Sequence, residues 1–113
     1  MNLIAGQRAK QSTAYVSALT YLIAGRALLP EDAWERRHEL TFALEFHRAE
    51  CEFLTGALAE AEARLAELAR RAATLPDLAA VTRLRMELFI AANRSDRAVE
   101  AALDYLASRR GKT

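Results

Sequence analysis

The sequence predicts an all-α chain of about five helices, folded as antiparallel helical hairpins stacked into a short solenoid. Three observations lead there. The 113 residues hold only two prolines and four glycines, set where helices begin and end, within a background of Ala, Leu, Glu and Arg that favours helix. Apolar side chains recur at helical spacing. A segment starting at Arg48 returns in related form at Arg85, 37 residues later.

The first helix is expected from about Ala5 to Leu29, because Pro30 disfavours helical geometry in the residue before it. In "PEDAWE", Asp32 is placed to cap and Glu35 to bond back, a capping box that starts a second helix reaching about Thr55. Gly56 supplies the left-handed residue that closes it. "ALAEAEARLAELARRA" follows at once as a third helix, and so short a connection makes the two an antiparallel hairpin. A fourth helix starts near Pro76, harmless in a first turn, and runs to about Ala92. Asn93 is the next left-handed candidate, and Ser95 the N-cap of a fifth helix ending near Arg109, with a frayed Gly-Lys-Thr tail.

The second helix carries two apolar stripes, Leu40, Ala43, Leu44, His47, Cys51, Leu54 and Phe42, Phe46, Ala49, Phe53, so it is expected between two neighbours. The third has one stripe, Leu58, Ala61, Leu65, Leu68, Ala72, with Glu60, Glu62, Glu67 and Arg70 turned to water, as an outer helix requires. In the repeat, Arg48 overlays Arg85, Glu50 Glu87, Phe53 Ile90, Gly56 Asn93 and Ala61 Ala98. Gly and Asn share tolerance of a left-handed backbone, which gives the match at that position a physical reason.

This arrangement resembles tetratricopeptide-type repeats. Ala49, Gly56, Ala61 and Leu65 stand at the small, turn and packing positions of one repeat, and Met86, Asn93 and Ala98 in the next, with Ala102 where a large residue is usual. Ala18, Leu22, Gly25 and Pro30 resemble the second helix of a preceding repeat. The resemblance divides one domain into an incomplete repeat (1–30), a repeat (31–75) and another (76–110). It also implies a groove lined by Phe46, Glu50 and Phe53 with Arg83, Glu87 and Ile90, where protein partners would dock. Over nearly its whole length the chain is further similar to the helical region of large bacterial signalling proteins, on "STAY", "LLPEDAWE" and "AECEFLTG". In those proteins, kinase-like and AAA-type ATPase domains precede such helices, and GAF and histidine kinase domains follow. The implied role is a non-catalytic connector, a piece of a longer chain, for protein–protein interaction or interdomain coupling.

Individual residues suggest chemistry more weakly. His38-Glu39 resembles the phosphoacceptor helix of histidine kinases, which makes a phosphotransfer or dimerisation bundle with His38 as acceptor the alternative reading. No proline follows before Pro76, however, and no nucleotide-binding motif accompanies it. His47 and Cys51, four apart, could share a metal, but a zinc site needs three or four ligands, so no metal or cofactor is expected. "RGKT" lacks the earlier glycine of a phosphate-binding loop. Sixteen Lys and Arg against fifteen Asp and Glu leave a charge of +1, which argues against nucleic acid and anionic membranes as partners. The apolar run Ala14–Gly25 falls short of the roughly 20 residues that span a bilayer. A single cysteine and no export signal fit a cytoplasmic protein. The first helix lacks a partner on its N-terminal side, so a homodimer through Tyr15, Leu19, Leu22 and Ile23 is expected.

Overall fold

The computed structural model describes residues 3–93 and 95–111, with side-chain environments for 13–93 and 97–109. Among these the chain is all-helical, with α1 (Leu3–Ala27), α2 (Ala33–Arg36), α3 (His38–Leu54), α4 (Leu58–Arg71), α5 (Leu75–Ala91) and α6 (Ser95–Gly111). Contacts run in chain order: α1 packs on α3, α3 on α4, α4 on α5 and α5 on α6, while α3 also touches α5. The result is a slab, 54 × 37 × 20 Å. Its thin dimension is about two helix diameters. Its radius of gyration, 15.4 Å, exceeds the roughly 13 Å of a compact chain this long.

The expected second helix is broken. Asp32 makes no capping hydrogen bond, because a turn that donates from Ala33 N–H to Pro30 O already fixes its backbone away from extended geometry. Its carboxylate pairs instead with Arg36 at 2.7 Å. One turn later the chain leaves helical geometry at Arg37 (φ −134°, ψ 54°). The Ala33 and Arg37 carbonyls still accept backbone bonds, from Arg37 N–H and Thr41 N–H, and the Thr41 hydroxyl adds a contact across the break, lying 2.8 Å from Arg37 O and 3.2 Å from Ala33 O. His38 therefore opens α3 rather than lying in a second turn.

The closing residues behave as their chemistry requires. Gly56 has φ +88°, and Ala57 N–H reaches Glu52 O at 2.8 Å while Gly56 N–H reaches Phe53 O, the bond pair of a Schellman motif. Asn93 has φ +60° at the end of α5, also donating three residues back, to Ile90 O. Gly56→Ala is expected to cost roughly 1–2 kcal/mol in urea denaturation, wholly through backbone strain, since nothing lies within 4 Å of an added Cβ. At the start of α5, Thr74 Oγ1 accepts from Asp77 N–H, a cap that puts the first helical residue at Leu75, one before the expected Pro76. Ser95, expected as an N-cap, is the first residue of α6; its side chain and Arg94 lie outside the described residues, as do Lys112 and Thr113 of the expected tail.

The core joins both hairpins: Phe42 and Ala49 from α3, Ala61, Leu65 and Leu68 from α4, Val81, Leu84, Leu88 and Phe89 from α5, and Ala98 and Ala101 from α6. The one-sided stripe of α4 is buried as expected, with Leu58 and Ala72 at its edges. One of the two stripes expected on α3 is not. Leu40 and Leu54 are 45% and 42% exposed, Ala43 and His47 are also exposed, and only Cys51 of that stripe is buried. The second covered side of α3 is polar instead, made of Thr41, Glu45, Arg48 and Glu52. Similarly, Tyr15, Leu19 and Leu22 of α1 are half-buried rather than free, while Val16, Tyr21 and Ile23 face outward.

Candidate functional surfaces and a buried charge cluster

Five charged side chains meet where α1, α3 and α4 come together. On α3, Glu45, Arg48 and Glu52 fall three and four residues apart and so share a face. Arg64 of α4 crosses to them, donating from Nε to Glu52 Oε1 at 2.8 Å and from Nη2 to Glu52 Oε2 at 3.2 Å, a bidentate pair, and from Nη1 to Glu45 Oε2 at 2.8 Å. Arg48 lies 3.9 Å from Glu45 and 3.8 Å from Glu52, and Arg26 of α1 lies 3.7 Å from Glu45. The Glu52 side chain is only 6% exposed.

A buried carboxylate is tolerated only when its charge is met by close donors, and Arg64 meets two at once. Burial opposes the charged form of Arg64, but hydrogen bonds to Glu52, with the charges of both glutamates, overcome it and hold the guanidinium above its ordinary proton affinity. The cluster thus locks α4 onto α3, with α1 at its edge. Nothing in composition distinguishes these five from solvated charges; the signal was the spacing of Glu45, Arg48 and Glu52 on a helix already expected to be covered on two sides.

The expected groove residues divide by environment. Phe46 and Phe53 pack against the core, Phe46 lying parallel to Phe42 with ring centres 6.2 Å apart. Glu50 faces His47 at 3.8 Å, and Arg83 pairs with Glu87 at 3.6 Å on the open side of α5, next to an Ile90 that is 63% exposed. The repeat-defining residues are placed more uniformly. Ala49 and Ala61 are fully buried and Ala98 nearly so, Ala18 is half-buried, and Pro30 is exposed after α1.

His38 sits between the rings of Trp34 and Phe42, with centroid distances of 5.4 and 6.3 Å, and its Nε2 is enclosed without a hydrogen-bond partner. Trp34 in turn lies under the Arg71 guanidinium at 4.6 Å, which ties α2 to the end of α4. His47 is exposed while Cys51 is buried, and no group of three potential metal ligands occurs among the described residues. Burial, together with the charges of Glu50 and Glu52, raises the Cys51 thiol above its usual range. Its alkylation by iodoacetamide near neutral pH should be at least about tenfold slower in the native protein than in urea, read by mass spectrometry.

The apolar residues left outward are concentrated at the two ends of the slab. Val16, Tyr21 and Ile23 on α1 with Leu28 after it are 52%, 78%, 42% and 86% exposed, and Val99, Leu103 and Leu106 on α6 are 57%, 59% and 48% exposed. No described helix is long and apolar enough to cross a membrane. No family model, no curated protein and no solved structure matches the chain.

Proposed function

We propose that the chain is a non-catalytic helical module, a short tetratricopeptide-like stack that binds protein or couples domains within a bacterial signal-transduction ATPase or histidine kinase. The observation that carries this is the pair of apolar faces on α1 and α6, at opposite ends of the contact order. Stacked helical units bury such faces on the next unit, so both ends are surfaces on which further polypeptide can pack. The 37-residue offset supports the repeat reading, since Gly56 and Asn93, the two residues with left-handed backbone among those described, occupy the same position in it. The groove of Glu50, Phe53, Arg83, Glu87 and Ile90, edged by Phe46, belongs to this proposal as a peptide-docking strip. A cytoplasmic address belongs to it too, resting on a lone buried thiol.

For the α1 face the occupant we favour is a second copy. Residues 11–25 contain no charged side chain, so nothing there selects an oppositely charged partner, and an uncharged face is its own match. Sedimentation across a wide concentration range should show self-association that Val16→Glu with Ile23→Glu abolishes; a strictly monomeric mass throughout would remove the homodimer. Incubation with ATP tests the non-catalytic reading, which hydrolysis or phosphorylation of His38 would overturn. The enclosure of His38 Nε2 by neighbouring rings favours the packing role over the acceptor role.

A further inference from the structure

The second hairpin repeats the first with its charges removed. At the 37-residue offset, Glu45, Glu52 and Arg64 correspond to Thr82, Phe89 and Ala101, all buried, while Arg48 corresponds to Arg85. The cation is kept and both its carboxylates are gone. Arg85 approaches the Phe89 ring at 5.9 Å, its Nε is enclosed without a hydrogen-bond partner, and none of the ion pairs among the described residues includes it.

Where Arg64 fills space in the first hairpin, Ala101 leaves it open. A hollow of about 250 Å³ lies there between α4, α5 and α6, lined by Arg85, Asp104, Thr82, Tyr105 and Ser108, with Leu78 and Ala101 among its apolar lining. That is about eight water volumes, the bulk of a molecule of roughly eight to ten heavy atoms. Arg70 also lines it, but its charge is engaged by Glu67. Arg85 and Asp104 thus face one hollow with opposite charges and form no ion pair with each other.

The geometry points to a binding site for a small α-amino acid zwitterion, its carboxylate on Arg85 and its ammonium on Asp104. The enclosed Nε of Arg85 gains a hydrogen-bond acceptor from a bound carboxylate, and a ligand bridging the two charges is matched in both. Thr82, Tyr105 and Ser108 add hydroxyl-bearing residues to the lining, and the apolar lining suits a short aliphatic side chain.

The test is calorimetric titration of the whole chain with L-leucine, with 4-methylpentanoate, which lacks the ammonium, and with 3-methylbutylamine, which lacks the carboxylate. L-leucine is expected to bind, and each truncated probe to bind at least tenfold more weakly. Arg85→Met should abolish binding while leaving the melting temperature little changed, since Arg85 takes part in none of the ion pairs among the described residues. Asp104→Asn, at an exposed position, should weaken L-leucine at least tenfold and keeps the test decisive if Arg85→Met fails to fold. Absence of any L-leucine binding, equal binding by either truncated probe, or unchanged binding by either variant would each overturn the assignment.

Discussion

Replacing Arg64 by Met should lower the free energy of unfolding by about 3 kcal/mol, the low end of the range for breaking a buried ion pair, because partial exposure of Glu45 admits some water. The loss comes less from the attraction removed than from what is left behind. Glu52, its side chain 6% exposed, loses both guanidinium hydrogen bonds and keeps only Arg48, at 3.8 Å and beyond hydrogen-bond contact. Adding Glu52→Gln to Arg64→Met removes that stranded charge and should recover at least about 1 kcal/mol, an interaction energy that chemical denaturation of the two single variants and the double variant measures directly. If the single Arg64→Met variant is as stable as the parent, the cluster is an ordinary solvated network and does not lock α4 to α3.

Leu65→Ala should cost about 3–4 kcal/mol, comparable to or larger than the Arg64 effect. Leu65 is fully buried in a core drawn from both hairpins, so truncating it opens a void that neither hairpin can close alone. Leu54→Ala on α3 is the matched control. Both residues belong to apolar stripes in the sequence, but Leu54 is 42% exposed, and its truncation should cost less than about 1 kcal/mol. Equal losses at the two positions would contradict the packing of α3 described above.

Most of the architecture was legible from local chemistry. Gly56 and Asn93 mark helix ends because their backbones accept the left-handed region, and the stripe of α4 shows which side of it is covered. The break at Arg37 was not legible. It follows a turn from Pro30 that spoils the Asp32 cap, and the Thr41 hydroxyl reaches across it to Ala33 O, eight residues back, a contact that helical periodicity does not reveal. The second covered side of α3 was missed for a related reason. Periodicity assigns buried faces to apolar residues, whereas here Glu45 and Glu52 are buried because a guanidinium arrives from another helix. The residues expected to line a groove were chosen by position on α3 and α5, which does not reveal that Phe46 and Phe53 pack against the core while Ile90 faces solvent.

The sequential packing of the slab also governs how it comes apart. Each helix rests chiefly on its neighbours in the chain, so little loop-closure entropy separates the unfolded chain from its first native contacts, and folding should be fast. The same arrangement lets α1 and α6, each held on one side only, detach without dissolving the middle. Amide protons should therefore exchange from the ends inward, with those of α3, α4 and α5 surviving longest. Anything that seats on an end helix would then act by slowing that unzipping as well as by adding contacts.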